Sequence, residues 1–93
     1  MNNSNKCKLD TITAIGSFRM AANGRAGTVS YFWIRKDSNG VVLSQVYSVN
    51  VAAGDTSLHN VVSDSWIPAS NGTEQLVFQT PSYSVTPQSF TCR

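Results

Sequence analysis

The residues best suited to acid–base chemistry lie within a short stretch of the chain. His59 is the only histidine, with Ser57 two residues before it and Asp55 and Asp64 close by in sequence. Such residues form a hydrolytic site when they converge in a cleft that also supplies donors to an oxyanion. Ser57 and His59 share one face of an extended strand. Because the sequence contains no nucleophile elbow and no glycine-rich oxyanion loop, we predict a non-catalytic protein with a solvent-facing His59.

The carboxylates are spread over separate segments and form no motif. They are Asp10, Asp37, Asp55, Asp64 and Glu74. Paired carboxylates can act as acid and base in glycoside hydrolysis, or bind calcium through their oxygens. The Asp37-Ser38-Asn39 stretch is a fragment of a calcium loop, but a hairpin turn explains it without a metal. We therefore predict no catalytic pair, no metal ion and no cofactor.

Exposed aromatic rings raise a second possibility, because planar rings stack on sugar faces and amide side chains can bind hydroxyl groups. The rings are those of Tyr47, Trp66, Tyr83 and Phe90, and the amides those of Gln45, Gln75 and Gln79. A carbohydrate-binding module is therefore the alternative function that the sequence leaves open.

The two cysteines lie near the two ends of the chain. Cys7 and Cys92 match neither a Cys-x-x-Cys redox pair nor a zinc site. A disulfide between them is the simpler interpretation, and closing so long a loop would stabilise the fold by roughly 4 to 5 kcal/mol. Two free buried thiols in a cytosolic domain are the alternative.

These residues must be positioned by strands, because short segments rich in Val, Ile, Thr and aromatic residues alternate with Gly, Asn, Asp and Pro. The predicted strands span residues 8–20, 27–36, 41–51, 57–67, 73–80 and 83–92. Asn23-Gly24 and Asn39-Gly40 mark turns, and the second predicts a tight hairpin. Pro87 predicts an edge strand or a bulge. This pattern predicts an all-β, antiparallel sandwich of six to seven strands.

Composition narrows the class of protein further. The chain has 93 residues, a net charge of +2 and only 13% charged residues. It is long enough for one domain, predicted over residues 7–93 after a disordered or expression-derived leader over residues 1–6. Its basic residues are scattered, which disfavours nucleic-acid binding. No apolar run approaches the roughly 20 residues that cross a bilayer, so we expect no membrane insertion of this segment.

The cellular compartment of the protein is inferred from its opening residues, its composition and its cysteines. The polar opening residues carry no secretory signal. The chain is therefore either cytosolic or a module of a longer exported protein. About a third of its residues are Ser, Thr or Asn, and the cysteine pair favours an oxidising compartment. We predict an extracellular or cell-surface module.

Two stretches carry a resemblance to a known group. The segment GTVSYFWIRKD at residues 27–37 and Ser65-Trp66-Ile67 resemble bacterial extracellular modules of immunoglobulin-like or fibronectin-III-like fold. Such modules occur on membrane-anchored signalling proteins, including serine/threonine kinases. The resemblance implies a disulfide between Cys7 and Cys92, a core position for Trp66, and the absence of a leading edge strand. Another chain could supply that strand.

Two positions at which this chain differs from the group indicate a protein-contact surface. Modules of this type are generally polar at the positions of Phe32 and Ile34. Strand alternation places Tyr31 and Trp33 on the core face and Phe32 and Ile34 on the opposite face. Contiguous exposed apolar side chains usually mark a contact surface. We therefore predict a non-catalytic module that spaces or presents neighbouring domains and contacts an unidentified protein, or a second copy of itself, through Phe32 and Ile34.

Overall fold

A computed structural model describes residues 5–21 and 24–93 as an all-β chain with antiparallel strand pairing. The strands are β1 (Ile12–Ala14), β2 (Ser17–Phe18), β3 (Gly27–Asp37), β4 (Gly40–Leu43), β5 (Tyr47–Val51), β6 (His59–Asn60), β7 (Asp64–Trp66), β8 (Gly72–Thr80), β9 (Tyr83–Ser84) and β10 (Gln88–Phe90). The prediction of an all-β antiparallel fold is confirmed. Residues 1–4 of the predicted leader and Asn23 of the predicted turn lie outside the described residues.

The larger sheet is organised around β3 and β8, which pair along most of their lengths. Trp33 lies opposite Leu76 in this ladder. β4 and β5 follow one another along the other edge of β3, while β9 and β10 pair with the far edge of β8. The resulting strand order is β10-β8-β3-β4, with β5 beside β3 and β9 beside β8.

Two short ladders, β1 with β7 and β2 with β6, form a second layer over one face of this sheet. The two layers meet in one buried apolar cluster. Its members are Ala14 and Val61 from the short layer and Val29, Tyr31, Trp33, Val51, Leu76 and Phe78 from the larger sheet. Because successive strand residues point to opposite faces, β3 directs Val29, Tyr31 and Trp33 inward and leaves Phe32 and Ile34 on the outer face.

Four of the six predicted strands are interrupted, so their predicted extents are wrong. These are the strands predicted over residues 8–20, 41–51, 57–67 and 83–92. At the first break the Gly16 carbonyl accepts the Val61 amide at 3.0 Å. At the second, the Ser44 hydroxyl accepts the Trp33 amide at 2.8 Å. Across the first break the pairing partner changes from β7 to β6. The Pro87 irregularity that we predicted lies between β9 and β10.

The hairpin predicted at Asn39-Gly40 is present. Asp37 pairs with Gly40 across a two-residue turn, and the φ of 113° at Gly40 is one that residues with a Cβ rarely adopt. The Asp37 carboxylate accepts the amides of Asn39 at 2.8 Å and Ala69 at 2.9 Å. Both oxygens of the residue that began the possible calcium motif are therefore used by backbone amides, one in the turn and one in the segment between β7 and β8.

The two ends of the described chain lie side by side. Cys7 and Cys92 form a disulfide with their Cα atoms 5.1 Å apart. Beside it the Cys7 amide donates to the Arg93 carbonyl at 2.8 Å, and the Arg93 amide donates to the Asn5 carbonyl at 2.9 Å. β1 begins at Ile12 rather than at residue 8, because the chain turns first, with Lys8 at a φ of 67°.

Two core aromatic residues join the layers through polar atoms. The Tyr31 hydroxyl accepts the Val62 amide at 2.8 Å, and the Trp33 indole donates to the Val62 carbonyl at 2.7 Å. Both aromatic side chains are buried. Their polar atoms bond to the amide and the carbonyl of Val62, between β6 and β7, so these buried groups have hydrogen-bond partners. These bonds fix how the short layer sits on the larger sheet.

Replacing Tyr31 with Phe is expected to lower the free energy of unfolding by about 1 to 2 kcal/mol, because the Val62 amide loses its acceptor. Urea denaturation monitored by tryptophan fluorescence measures the change. Tyr47→Phe is the matched control, since the half-buried Tyr47 ring packs 5.6 Å from Tyr31 but its hydroxyl bonds to no described residue. Equal effects of the two substitutions would contradict a role for the Tyr31 bond.

Among residues 5–21 and 24–93 there is no helix long and apolar enough to cross a membrane.

Candidate functional site

The Ser57, His59 and Asp55 side chains, which we considered for acid–base chemistry and rejected as a site, lie together around the Asp55 carboxylate. Asp55 accepts the Ser57 hydroxyl at 2.6 Å and the Ser57 amide at 2.9 Å, and lies 3.1 Å from His59 Nε2. His59 is half-buried and stacks on Phe18 with ring centroids 5.1 Å apart. Our expectation of a solvent-facing histidine is therefore wrong, because the ring is held by Asp55 and Phe18.

This arrangement differs from a nucleophile–base pair. A serine nucleophile is activated when its hydroxyl bonds to the base, whereas here the Ser57 hydroxyl donates to Asp55. The hydrogen bonds from Ser57, the hydroxyl first and the amide second, hold the pKa of Asp55 below its ordinary value. The group fixes the turn that leads into β6.

A second polar cluster, which the sequence analysis did not find, lies between the layers. Arg35 makes two hydrogen bonds to Asp64, from Nε at 2.8 Å and from Nη2 at 2.7 Å. The Trp66 indole donates to Glu74 Oε1 at 2.9 Å. The guanidinium carbon of Arg35 lies 5.6 Å from the centre of the Trp66 ring, within cation–π range. Phe90 packs edge-on against Trp66 at 5.4 Å.

Glu74 is the unusual member of this cluster, with only 2% of its surface exposed. Burial first, and the negative charge of Asp64 second, raise the pKa of Glu74 to about 8. Its Oε2 accepts no hydrogen bond from the described residues. A protonated Glu74 resolves this, because it can donate to Asp64 while Oε1 accepts from Trp66. The raised pKa favours a protonated Glu74 at neutral pH, with Asp64 as the partner of Arg35.

The alternation of β8 and β3 contained the signal for this cluster. Glu74 lies two residues before Leu76 on the face that carries the core. Arg35 lies two residues after Trp33 on the same face and is the cross-strand partner of Glu74. A period of two therefore places both charged residues inward. Asp64 belongs to the other layer, so its meeting with Glu74 depends on how the layers pack. The sequence spacing of the carboxylates does not encode that contact.

The predicted contact residues lie together with three further apolar side chains. Phe32 is opposite Val77, while Ile34 is opposite Leu43 in β4 and Gln75 in β8. Val41 lies next to Leu43 along the same face of β4. We call Phe32, Ile34, Val41, Leu43 and Val77 the outer apolar face.

Exposure varies across the outer apolar face. Leu43 and Val41 are 59% and 56% exposed at the edge of the sheet. Phe32, Ile34 and Val77 are half-buried. The face therefore presents five apolar side chains from three strands, together with the polar Lys36 and Gln75, away from the core.

The aromatic residues of the carbohydrate hypothesis are distributed unequally. Phe90 is buried, and Trp66 and Tyr47 are half-buried, whereas Tyr83 is 66% exposed. Tyr83 lines an open cavity of about 520 Å³ that also includes Phe18, Met20 and Phe78. One exposed ring thus borders an apolar cavity, and the four rings form no common platform.

Within the described part of the chain, no group of three or more His, Cys, Asp or Glu side chains could hold a metal ion.

Comparisons with protein families, with curated proteins and with solved structures found no match to this chain.

Proposed function

We propose that this chain is a non-catalytic extracellular module of immunoglobulin-like or fibronectin-III-like type. In this proposal it spaces or presents neighbouring domains and contacts a protein through the outer apolar face. The observation that carries the proposal is that face itself. Its apolar side chains come from three adjacent strands and serve no purpose in the core, which lies on the other side of the sheet. Contiguous apolar surface of this kind is typical of protein contacts.

The layered architecture and the disulfide support the rest of the proposal. An antiparallel sheet in the order β10-β8-β3-β4, facing short ladders across a Trp33-centred core, is compatible with such a sandwich. A disulfide that closes nearly the whole chain favours an oxidising compartment outside the cytosol.

Replacing Phe32 with Ser and Ile34 with Thr tests the contact face. We expect the double variant to lose at least ten-fold in affinity for its protein partner, because two central apolar side chains leave the interface. The measurement is retention of exported proteins of the source organism on the immobilised chain, quantified for wild type and variant. Ser30→Thr on the same strand is the control, since it changes the strand without removing an apolar side chain.

A partner that binds wild type and the double variant equally would contradict the proposal. Thermal unfolding of both proteins is measured beside binding, so that loss of the fold is distinguished from loss of the face.

The exposed Tyr83 beside its cavity favours carbohydrate binding as the second candidate function. Titration with soluble polysaccharides separates it from the first. Under this alternative Tyr83→Ala removes binding and the Phe32→Ser, Ile34→Thr variant retains it.

A further inference from the structure

The free edge of β4 adjoins the outer apolar face. Among the described residues β4 pairs with β3 alone, and it ends the strand order of the larger sheet. Its three apolar residues, Val41, Val42 and Leu43, are each more than half exposed, at 56%, 52% and 59%. Backbone hydrogen-bonding groups and apolar side chains are thus available along the same short strand.

The unpaired backbone groups can be assigned from the ladder. In an antiparallel pair, alternate residues bond to the partner strand and the residues between them point away. The Ser44 amide donates to the Trp33 carbonyl at 2.8 Å, so Val42, two residues earlier, also bonds to β3. Val41 and Leu43 therefore direct their N–H and C=O groups outward, away from β3.

β4 is short, at four residues, but it carries no charged residue and no proline to protect its edge. Natural edges are blocked by charged residues, prolines or bulges. The sequence of β4 is Gly-Val-Val-Leu, without charge or proline, whereas Pro87 interrupts the β9–β10 edge at the other side of the sheet. An edge of this composition is suited to pairing with another strand.

We propose that β4 pairs with β4 of a second copy of this chain, antiparallel and about a twofold axis at Val42. The inference rests on the proposed function and extends it, because edge pairing joins the outer apolar faces of two copies into one larger surface for a protein partner. The register follows from the outward groups. In this register Val41 lies opposite the second copy's Leu43, and Leu43 lies opposite the second copy's Val41. The outward N–H and C=O groups of these residues in the two copies then form four hydrogen bonds. Registers centred on Val41 or Leu43 form only two bonds between these residues.

The side chains are compatible with this register. Val41 meets Leu43 on the outer side, so the two outer apolar faces become one, and Val42 meets its own copy at the axis. The charges on the neighbouring strand are Lys36, opposite Val41 on the outer side, and Arg35, opposite Val42 on the inner side and paired with Asp64. The two copies of Lys36 are separated by three strand spacings, roughly 14 Å. Because the Debye length is about 8 Å at physiological ionic strength, their repulsion is largely screened.

Charge substitution at Val42 tests both the partner and the register. Val42→Glu places two carboxylates opposite each other at the axis, and Val42→Lys places two ammonium groups there. Because side chains in a non-hydrogen-bonded pair are close, like charges oppose pairing. Sedimentation equilibrium over a concentration series is expected to show a dimer for wild type. For each variant alone we expect the dissociation constant of the dimer to rise at least ten-fold, and for a mixture of the two variants we expect it to return toward the wild-type value.

Leu58 provides the matched control, because it is 54% exposed in the segment between β5 and β6. Leu58→Glu and Leu58→Lys are expected to dimerise like wild type. Hydrogen exchange gives a measurement without substitution. The amides of Val41 and Leu43 gain protection as the wild-type concentration rises, whereas the Val42 amide, already bonded to β3, does not change.

A monomeric wild type at all concentrations would overturn the dimer, and so would a dimer in which the mixed Val42 variants fail to recover pairing. Neither result tests the proposed function. That function is decided separately by the Phe32→Ser, Ile34→Thr variant and a heterologous partner, and it fails only if that variant binds as wild type does.

Discussion

Raising the pH from about 5 to about 8 is expected to lower the free energy of unfolding by roughly 3 to 4 kcal/mol through Glu74 alone. Burial and the neighbouring Asp64 raise the pKa of Glu74 to about 8 in the folded protein, from an ordinary value of 4.5. The folded state therefore retains a proton across a pH range in which the unfolded state has released it.

The direction of the effect follows from the proton count. Below the ordinary pKa, Glu74 is protonated in both states and its stabilising contribution is fully present. As the pH rises toward 8, the unfolded carboxyl ionises in water while the folded one remains neutral, and stability falls by about 1.4 kcal/mol for each pH unit. Above the folded pKa both states are ionised and the loss is complete.

Glu74→Gln isolates this contribution. The amide oxygen can accept from the Trp66 indole, as Glu74 Oε1 does at 2.9 Å, and the amide nitrogen can donate to Asp64. Urea denaturation at a series of pH values is expected to give a falling curve for wild type and a much flatter one for the variant. Other titrating groups are common to both proteins and cancel in the difference.

Carboxyl carbon NMR tests the cause directly. Glu74 is the only glutamate in the chain, so its resonance can be assigned by comparison with the Gln variant. A glutamate signal that titrates near its ordinary pKa, or parallel stability curves for the two proteins, would refute the buried neutral carboxyl.

Strand alternation explains how much of the fold could be predicted. The period-two pattern of Val29, Tyr31 and Trp33 encodes which face of β3 is buried. The same pattern could have placed Arg35 and Glu74 inward, although we read them only as scattered charges. The strand breaks were not predictable in this way, because they depend on specific partners such as the Gly16 carbonyl and the Val61 amide.

The candidate sites differ in how far they depend on tertiary packing. Phe32 and Ile34 follow from alternation within one strand, whereas their neighbours Leu43 and Val77 are set by the registers of β4 and β8. The position of His59 against Phe18 and Asp55 depends on pairing between β2 and β6 and on a local turn. Single-strand patterns therefore indicated the centre of the outer apolar face and missed its extent.

Replacing both Cys7 and Cys92 with Ser is expected to lower the free energy of unfolding by about 4 to 5 kcal/mol. The two residues are 85 positions apart, so the disulfide restricts the unfolded chain over almost its whole length. Since small domains are stable by only about 5 to 15 kcal/mol, the double variant would have little stability left. Urea denaturation of oxidised wild type and of the double variant measures the difference, and reduced wild type should match the variant.

The m-value, which is the slope of the free energy of unfolding against urea concentration, shows whether the disulfide acts on the unfolded or on the folded state. If the disulfide acts on the unfolded state, the cross-linked chain exposes less surface on unfolding, and its m-value is smaller than that of the double variant. The hydrogen bonds beside the disulfide, from Cys7 to Arg93 and from Cys92 to Asn71, remain available to serine. We therefore expect native near-ultraviolet circular dichroism in the folded variant. Equal m-values with an altered native spectrum would instead show that the disulfide holds the folded ends in place.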